Sequence, residues 1–108
     1  EGKSLQGELT FRVRAKGKGA DKTVEAVHAG VRDALPSLFD CRRKAEKKGS
    51  PAGDLVLSVV LKAADKAEVD VKSCTVAAER APFCVDTALT EFMGKGRGRA
   101  EVTISFAP

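Results

Sequence analysis

Hydrophobic and polar residues alternate along several parts of this 108-residue chain, and such alternation predicts β-strands with one buried face. The first run is ELTFRVRAK at residues 8–16, where Leu9, Phe11 and Val13 share one face. Two further runs, LVLSVVLKA and AEVDVKS, are joined by a short polar segment and predict a β-hairpin. The last run, RAEVTISF, predicts a fourth strand.

Two other segments repeat hydrophobic residues every three or four positions, which predicts amphipathic helices. The stripe of the first helix consists of Val24, Val27, Val31, Leu35 and Leu38. Proline lacks a backbone donor and crowds the preceding turn, so Pro36 should kink this helix or divide it into two near residue 35. The second helix is predicted within ERAPFCVDTALTEFMGKG, with Pro82 in its first turn and Gly94 at its cap.

The predicted order is β-α-β-β-α-β, which indicates an α+β fold. Every strand has one hydrophobic face and each helix has one hydrophobic stripe. A two-layer sandwich buries all of these surfaces, with two helices on one face of a mainly antiparallel four-stranded sheet. The other face of the sheet should be exposed to solvent, which explains why charged residues alternate with core residues in the strands. We expect residues 1–108 to form a single domain.

The net charge of +4 comes from the first half of the chain: residues 1–54 hold 12 Lys and Arg against 8 Asp and Glu, and residues 55–108 hold 7 of each. The candidate binding surface consists of the cationic residues Arg42, Arg43, Lys44, Lys47, Lys48, Arg97 and Arg99. Such a surface could contact phosphate, lipid headgroups or an acidic protein. The alternative is a solvated helix end, where cations are favoured by the helix dipole.

No hydrophobic segment approaches the roughly 18 residues that a membrane-spanning helix needs. The first residues, EGKSLQGE, lack the hydrophobic core of a signal peptide. The sequence therefore predicts a protein without a membrane span, one that is cytosolic or whose targeting segment is absent from this chain.

The chain contains three cysteines, Cys41, Cys74 and Cys84. Cys41 continues the hydrophobic stripe of the first predicted helix and Cys84 borders that of the second, so adjacent helices could bring these two thiols within bonding distance. Spacing alone leaves three bridges open: 41 to 84, 74 to 84, and 41 to 74. Three buried reduced thiols in a cytosolic protein are the further alternative. An unpaired Cys74 would permit a covalent dimer.

No motif for catalysis, metal binding or cofactor binding is found, so we expect a non-enzyme without a cofactor. A zinc site would need paired ligands, yet there is no Cys-x-x-Cys and His28 is the single histidine. The segment GKGRGR precedes a strand, whereas a phosphate-binding loop opens a helix. A thiol-based redox protein centred on Cys84, with His28 as base, is one alternative function, although no residue is identified that would orient the base.

A basic nucleic-acid-binding α+β module is the other alternative. It would use Arg12, Arg14 and the cations of residues 42–48. RNA-recognition domains of this element order stack bases on exposed aromatic side chains, but this chain has no Tyr or Trp. Binding would therefore be largely electrostatic, and nucleic acid is not the favoured partner.

Four segments follow one another within residues 31–106: FDCRRKAEKKGSPAGDLVLSVVL, AEVDVKSCT, APFCVDTALTEF and AEVTISF. They give a helix with a cysteine, a hairpin, a second helix that opens with a cysteine and a β-branched residue, and a strand that ends in Phe. This order resembles the TonB C-terminal-like domain, closest to the type at the end of the gliding-motility proteins AgmX and PglI. The predicted strand at residues 8–16 precedes the resembling region.

The resemblance implies that Cys41 and Cys84 form a disulfide between the two helices. Cys74 is additional to the family pattern. The resemblance also implies a periplasmic or secreted adaptor of the cell envelope that is not catalytic and binds a protein partner, in part by adding a partner strand to a sheet edge. We expect either residues 9–15 or residues 100–106 to provide that edge.

Overall fold

The computed structural model describes residues 9–108, and the predicted element order is confirmed. The chain forms β1 (Leu9–Arg14), α1 (Ala20–Lys47), β2 (Gly53–Leu61), β3 (Glu68–Cys74), α2 (Ala81–Phe92) and β4 (Gly98–Phe106). The fold is an α+β sandwich with both helices packed together on one face of a four-stranded antiparallel sheet.

The strand order in the sheet is β1-β4-β2-β3, so the last strand lies between the first and the second. Six residue pairs join β1 to β4, from Leu9 opposite Phe106 to Arg14 opposite Glu101. The expectation that residues 100–106 could provide an open sheet edge is therefore wrong. Alternation along a strand shows which face is buried but not which strands lie beside it, and here the two edge strands are β1 and β3.

The core lies between the sheet and the helices. The sheet contributes Leu9, Phe11, Val13, Leu55, Leu57, Val59, Leu61, Ala100, Val102, Ile104 and Phe106, all buried. The helices contribute Val27, Val31, Ala34, Leu38, Cys41, Val85, Ala88 and Leu89. Each fully buried aliphatic side chain stabilises the fold by about 1.5 to 3 kcal/mol relative to an exposed one. These residues belong to one hydrophobic cluster, so the sheet and the two helices share a single core.

The first helix continues through Pro36 as one element of 28 residues, so the alternative of two helices that meet near residue 35 is wrong. Pro36 is exposed, whereas Leu35 and Leu38 beside it are buried in the core. The hydrophobic stripe therefore lies against the sheet on both sides of the proline. Burial of this stripe outweighs the loss of one helical hydrogen bond, because most helix stability in proteins comes from packing.

The two helices run antiparallel. Cys41 of α1 is bonded to Cys84 in the first turn of α2, and Gly30 of α1 contacts Met93, which directly follows α2. A Cβ atom at Gly30 would lie 2.5 Å from the Met93 sulfur and 3.1 Å from its Cα. The absence of a side chain at residue 30 therefore allows the end of α2 to approach α1 closely.

We expect Gly98→Ala to lower the free energy of unfolding by roughly 1 to 2 kcal/mol. Gly98 begins β4 with a φ of 120°, which disfavours any residue with a Cβ, and that Cβ would overlap the Thr23 side chain. The Thr23 hydroxyl lies 3.2 Å from the carbonyl oxygens of Gly19 and Arg97, so its displacement would loosen the contact between α1 and the loop before β4.

Urea denaturation of the wild type and the variant measures this loss. Gly94→Ala is the control, because a Cβ at Gly94 meets no atom within 4 Å. Equal stability of the two variants would contradict the prediction.

Candidate functional site

A disulfide joins the two helices at the residues that the resemblance implied. The sulfurs of Cys41 and Cys84 are 2.07 Å apart and their Cα atoms are 5.8 Å apart. Cys41 lies on the buried stripe of α1 and is 2% exposed, whereas Cys84 is half-buried. The pairings 74 to 84 and 41 to 74, which spacing had left open, are not formed. The two helices are therefore joined by a covalent bond at their interface.

Cys74 is the free cysteine. It lies at the end of β3, is half-buried, and its thiol donates to the carbonyl oxygen of Val76 at a sulfur to oxygen distance of 3.7 Å. Because β3 is an edge strand, Cys74 lies near the border of the sheet. A covalent dimer through this thiol stays a prediction.

Two depressions on the outer surface meet at the disulfide, and we call them together the interhelical groove. The basic half, about 530 Å³, is lined by Lys44, Ala45, Lys47, Lys48, Ala77, Ala78, Glu79, Arg80 and Ala81. The Phe83 half, about 380 Å³, is lined by Ser37, Asp40, Lys44, Arg80, Phe83, Thr87, Ala88 and Glu91. Both halves include Cys41 and Cys84. The groove is therefore centred on the covalent link between the helices.

The structure places Arg42 inside the protein and apart from the other predicted binding residues. Its residue exposure is 6%. The guanidinium donates to the carbonyl oxygen of Ala107 from Nη2 at 2.9 Å and from Nε at 3.2 Å, and Nη2 also donates to a Pro108 oxygen at 3.1 Å. Its Nη1 lies 3.5 Å from a carboxylate oxygen of Glu46. Arg42 thus fastens the segment after β4 to α1 and leaves the candidate binding surface.

The remaining cations of the helix end, Arg43, Lys44, Lys47 and Lys48, are exposed. Asp40 forms ion pairs of 3.4 Å with both Arg43 and Lys44. Hydrogen bonds from Lys44 and Arg43 hold the pKa of Asp40 below its ordinary value of 3.8. Lys47 and Lys48 form no ion pair with any residue in the described range 9–108. Their charges are therefore available to a partner.

Arg97 and Arg99 are exposed, but they lie at the opposite end of the molecule. The carbonyl of Arg97 accepts from Thr23 in the first turn of α1, whereas Lys47 is the last residue of that helix. A helix of 28 residues is about 42 Å long at 1.5 Å per residue. The predicted binding residues therefore form two separate basic regions, and Lys18 and Lys22 join Arg97 in the second.

His28 is distant from the disulfide. Its ring packs on Phe11 with the ring centroids 4.9 Å apart. It precedes Cys41 by 13 positions, about 20 Å along α1. His28 therefore cannot serve as a base for Cys84, whose sulfur is already bonded. Among residues 9–108, no group of three or more His, Cys, Asp or Glu side chains is placed to hold a metal ion.

Sequence reasoning missed two residues of the groove, Arg80 and Phe83. Both are exposed, and Phe83 is 69% exposed although it is a large hydrophobic residue. Phe83 directly precedes Cys84 and lies outside the stripe formed by Val85, Ala88 and Leu89. An aromatic residue off the hydrophobic stripe of a predicted helix is the signal that could have identified it.

No protein-family model matches the chain, and no curated protein or solved structure matches it significantly. The TonB C-terminal-like assignment therefore stays a prediction from the sequence. None of the helices in residues 9–108 has the length and hydrophobicity to cross a membrane.

Proposed function

We propose that this chain is a non-catalytic protein-interaction domain of the cell envelope, periplasmic or secreted, that acts as an adaptor of the TonB C-terminal type. The Cys41–Cys84 disulfide is the observation that carries the proposal. Disulfides form and persist in oxidising compartments and are rare in the cytosol. The residues Cys41 and Cys84 are also those that the resemblance to an envelope domain singles out.

The edge of β1 is the part of the sheet that best supports binding of a partner strand. Its pairing with β4 continues without interruption over six residues. The register between β2 and β3 shifts between Val56 and Leu57, so β3 contains an irregularity of the kind that protects sheet edges. In the described sheet, β1 and β3 each pair with one other strand. We therefore assign strand addition to β1.

Charge on the exposed face of the sheet favours a protein partner over nucleic acid. Arg14 lies directly opposite Glu101, and Ser58 separates Glu101 from Asp70 across the neighbouring strands. This face of the sheet therefore carries both positive and negative side chains. A phosphate backbone favours a surface of one sign, and single-stranded nucleic acid also favours exposed aromatic rings, whereas the exposed strand positions carry none.

The compartment is tested by peptide mapping without reduction, on protein isolated from its native cells with thiols trapped at lysis. We expect the peptides that contain Cys41 and Cys84 to be linked, Cys74 to be absent from that linked pair, and the protein to be in the envelope or secreted fraction. Three trapped thiols in a cytosolic fraction would refute the proposal.

The interaction is tested in the same cells with a photo-crosslinking residue in an edge strand. At Arg12 of β1, which is exposed, we expect an adduct of discrete mass with an envelope protein. The matched position is Asp70 of β3, also exposed and in the opposite edge strand, where we expect no such adduct. An adduct at Asp70 alone would move the site to β3.

A further inference from the structure

The floor of the basic half of the interhelical groove is apolar and fixed in position. It consists of Ala45, Ala77, Ala78 and Ala81 beside the disulfide. Short side chains from two parts of the chain leave the depression open there. The Cys41–Cys84 bond ties both walls together, so the groove exists before a ligand arrives. A preformed groove binds with a smaller loss of conformational entropy than a flexible surface.

The rim of this half has an excess of positive charge from two elements. Lys44, Lys47 and Lys48 come from the end of α1, and Arg80 directly precedes α2, while Glu79 is the one acidic residue of the lining. Cations at the end of α1 favour that helix through its dipole, which is an ordinary structural role. That role does not explain Arg80.

Arg80 occupies the N-cap of α2, where the positive end of the helix dipole disfavours a cation. The first turn of α2 contains no acidic residue, and the N-cap side chain makes no capping hydrogen bond. Arg80 forms no ion pair with another residue between 9 and 108. Lys47, Lys48 and Arg80, none of which forms an ion pair with a residue in 9–108, thus lie around one apolar depression, whereas Lys44 is paired with Asp40.

We infer that the interhelical groove binds an acidic segment of a protein partner. Carboxylates of that segment contact Lys47, Lys48 and Arg80, and its small apolar side chains contact the alanine floor. A neighbouring apolar residue packs on Phe83, whose exposure is unusual for an aromatic side chain. The inference rests on the proposed function, because it specifies the chemistry of the partner for the same interaction domain.

The charge pattern also fixes the order of features along the partner. Beyond the disulfide, the Phe83 half is lined by the carboxylates of Asp40 and Glu91 as well as by Lys44 and Arg80, so its positive and negative charges balance. An acidic segment that continued into this half would gain no net attraction, because two carboxylates there offset the two cations. The acidic residues of the partner therefore lie in the basic half only, and its apolar residue lies beside Phe83.

Fluorescence anisotropy with a synthetic peptide tests this inference. The probe is a labelled peptide in which a run of Glu and Ala is followed by Leu, and the matched probe has Gln in place of each Glu. We expect the acidic probe to bind at least about tenfold more tightly, a difference of about 1.4 kcal/mol. The charge variant Lys47→Gln with Lys48→Gln should weaken binding of the acidic probe about tenfold, and added salt should weaken it further.

Two matched variants separate a defined site from general attraction. Lys18→Gln with Lys22→Gln removes the same charge at the other end of α1 and should change affinity by less than about twofold. Ala77→Trp fills the groove at an exposed position without changing the charge and should abolish binding. Circular dichroism and a non-reducing thiol assay confirm that each variant is folded and oxidised.

Equal losses from the two lysine pairs would overturn the inference, because affinity would then depend on net charge alone. Absence of binding by the acidic probe would overturn it too. Binding of a labelled 12-nucleotide single strand in place of the acidic probe would replace it with a nucleic-acid site. None of these results changes the disulfide map or the cross-link at Arg12, so failure of the groove is distinguishable from failure of the proposed function.

Discussion

Replacing both Cys41 and Cys84 by alanine is expected to lower the free energy of unfolding by about 4 kcal/mol. The bond joins residues 43 positions apart, so it restricts a long loop of the unfolded chain. In the chain-entropy model that restriction raises the free energy of the unfolded state and leaves the folded state unchanged. Domains of this size are stable by about 5 to 15 kcal/mol in total, and the loss is therefore a large fraction of the whole.

Urea denaturation of the oxidised wild type and of the double variant measures the effect. Reduction of the wild type should reproduce it, and the dependence of stability on urea should steepen because the unfolded chain expands. Cys74→Ala is the control, since Cys74 is not bonded, and its stability should still fall on reduction. A double variant as stable as the oxidised wild type would show that the bond does not hold the helices together.

The second large effect is expected at Arg42. Arg42→Ala should lower the free energy of unfolding by about 2 to 3 kcal/mol, because it removes charge-assisted hydrogen bonds from a buried position. Those bonds hold the Ala107 and Pro108 backbone against α1. Arg42→Lys should restore little of the loss, because an ammonium group cannot reproduce the two-pronged donation of a guanidinium.

The neighbouring arginine provides the control for this experiment. Arg43 has a side-chain exposure of 61% and pairs only with Asp40 among described residues. Arg43→Ala should change stability by less than about 0.5 kcal/mol, as is usual for exposed ion pairs. Thermal or urea denaturation of the three variants measures these changes in the free energy of unfolding. A loss at residue 42 as small as that at residue 43 would contradict the stabilising role of the contact between Arg42 and residues 107 and 108.

The order of strands and helices was predictable because hydrophobic residues recur with a clear period within each of them. The alternation in LTFRVR and the spacing of Val27, Val31 and Leu38 each depend on local geometry alone. The continuity of α1 through Pro36 was not predictable from the segment, because it depends on the sheet that packs against both sides of the proline. The position of β4 between β1 and β2 was not predictable either, because the alternation of residues along a strand does not show which strands pair with it.

The candidate site was predictable only in part. The cationic run was visible in the sequence, but Arg42 and Arg43 are adjacent residues of the same type, and one is buried while the other is exposed. Their difference comes from the position of the segment after β4, which is distant in the sequence. The contribution of Arg80 was missed for the same reason, because it joins Lys47 and Lys48 only through the antiparallel packing of α1 and α2.

The central position of β4 affects how the protein folds during its synthesis. Residues 9–14 have residues 101–106 as their strand partner, so β1 emerges from the ribosome long before anything it can pair with. Contacts between such distant parts of a chain make folding slow. Until β4 has been synthesised, the unpaired edges of β1 can pair with other chains and aggregate. Synthesis must reach the last strand before the sheet can close. A nascent chain without β4 therefore cannot join β1 to the β2–β3 hairpin, because β4 pairs with both β1 and β2.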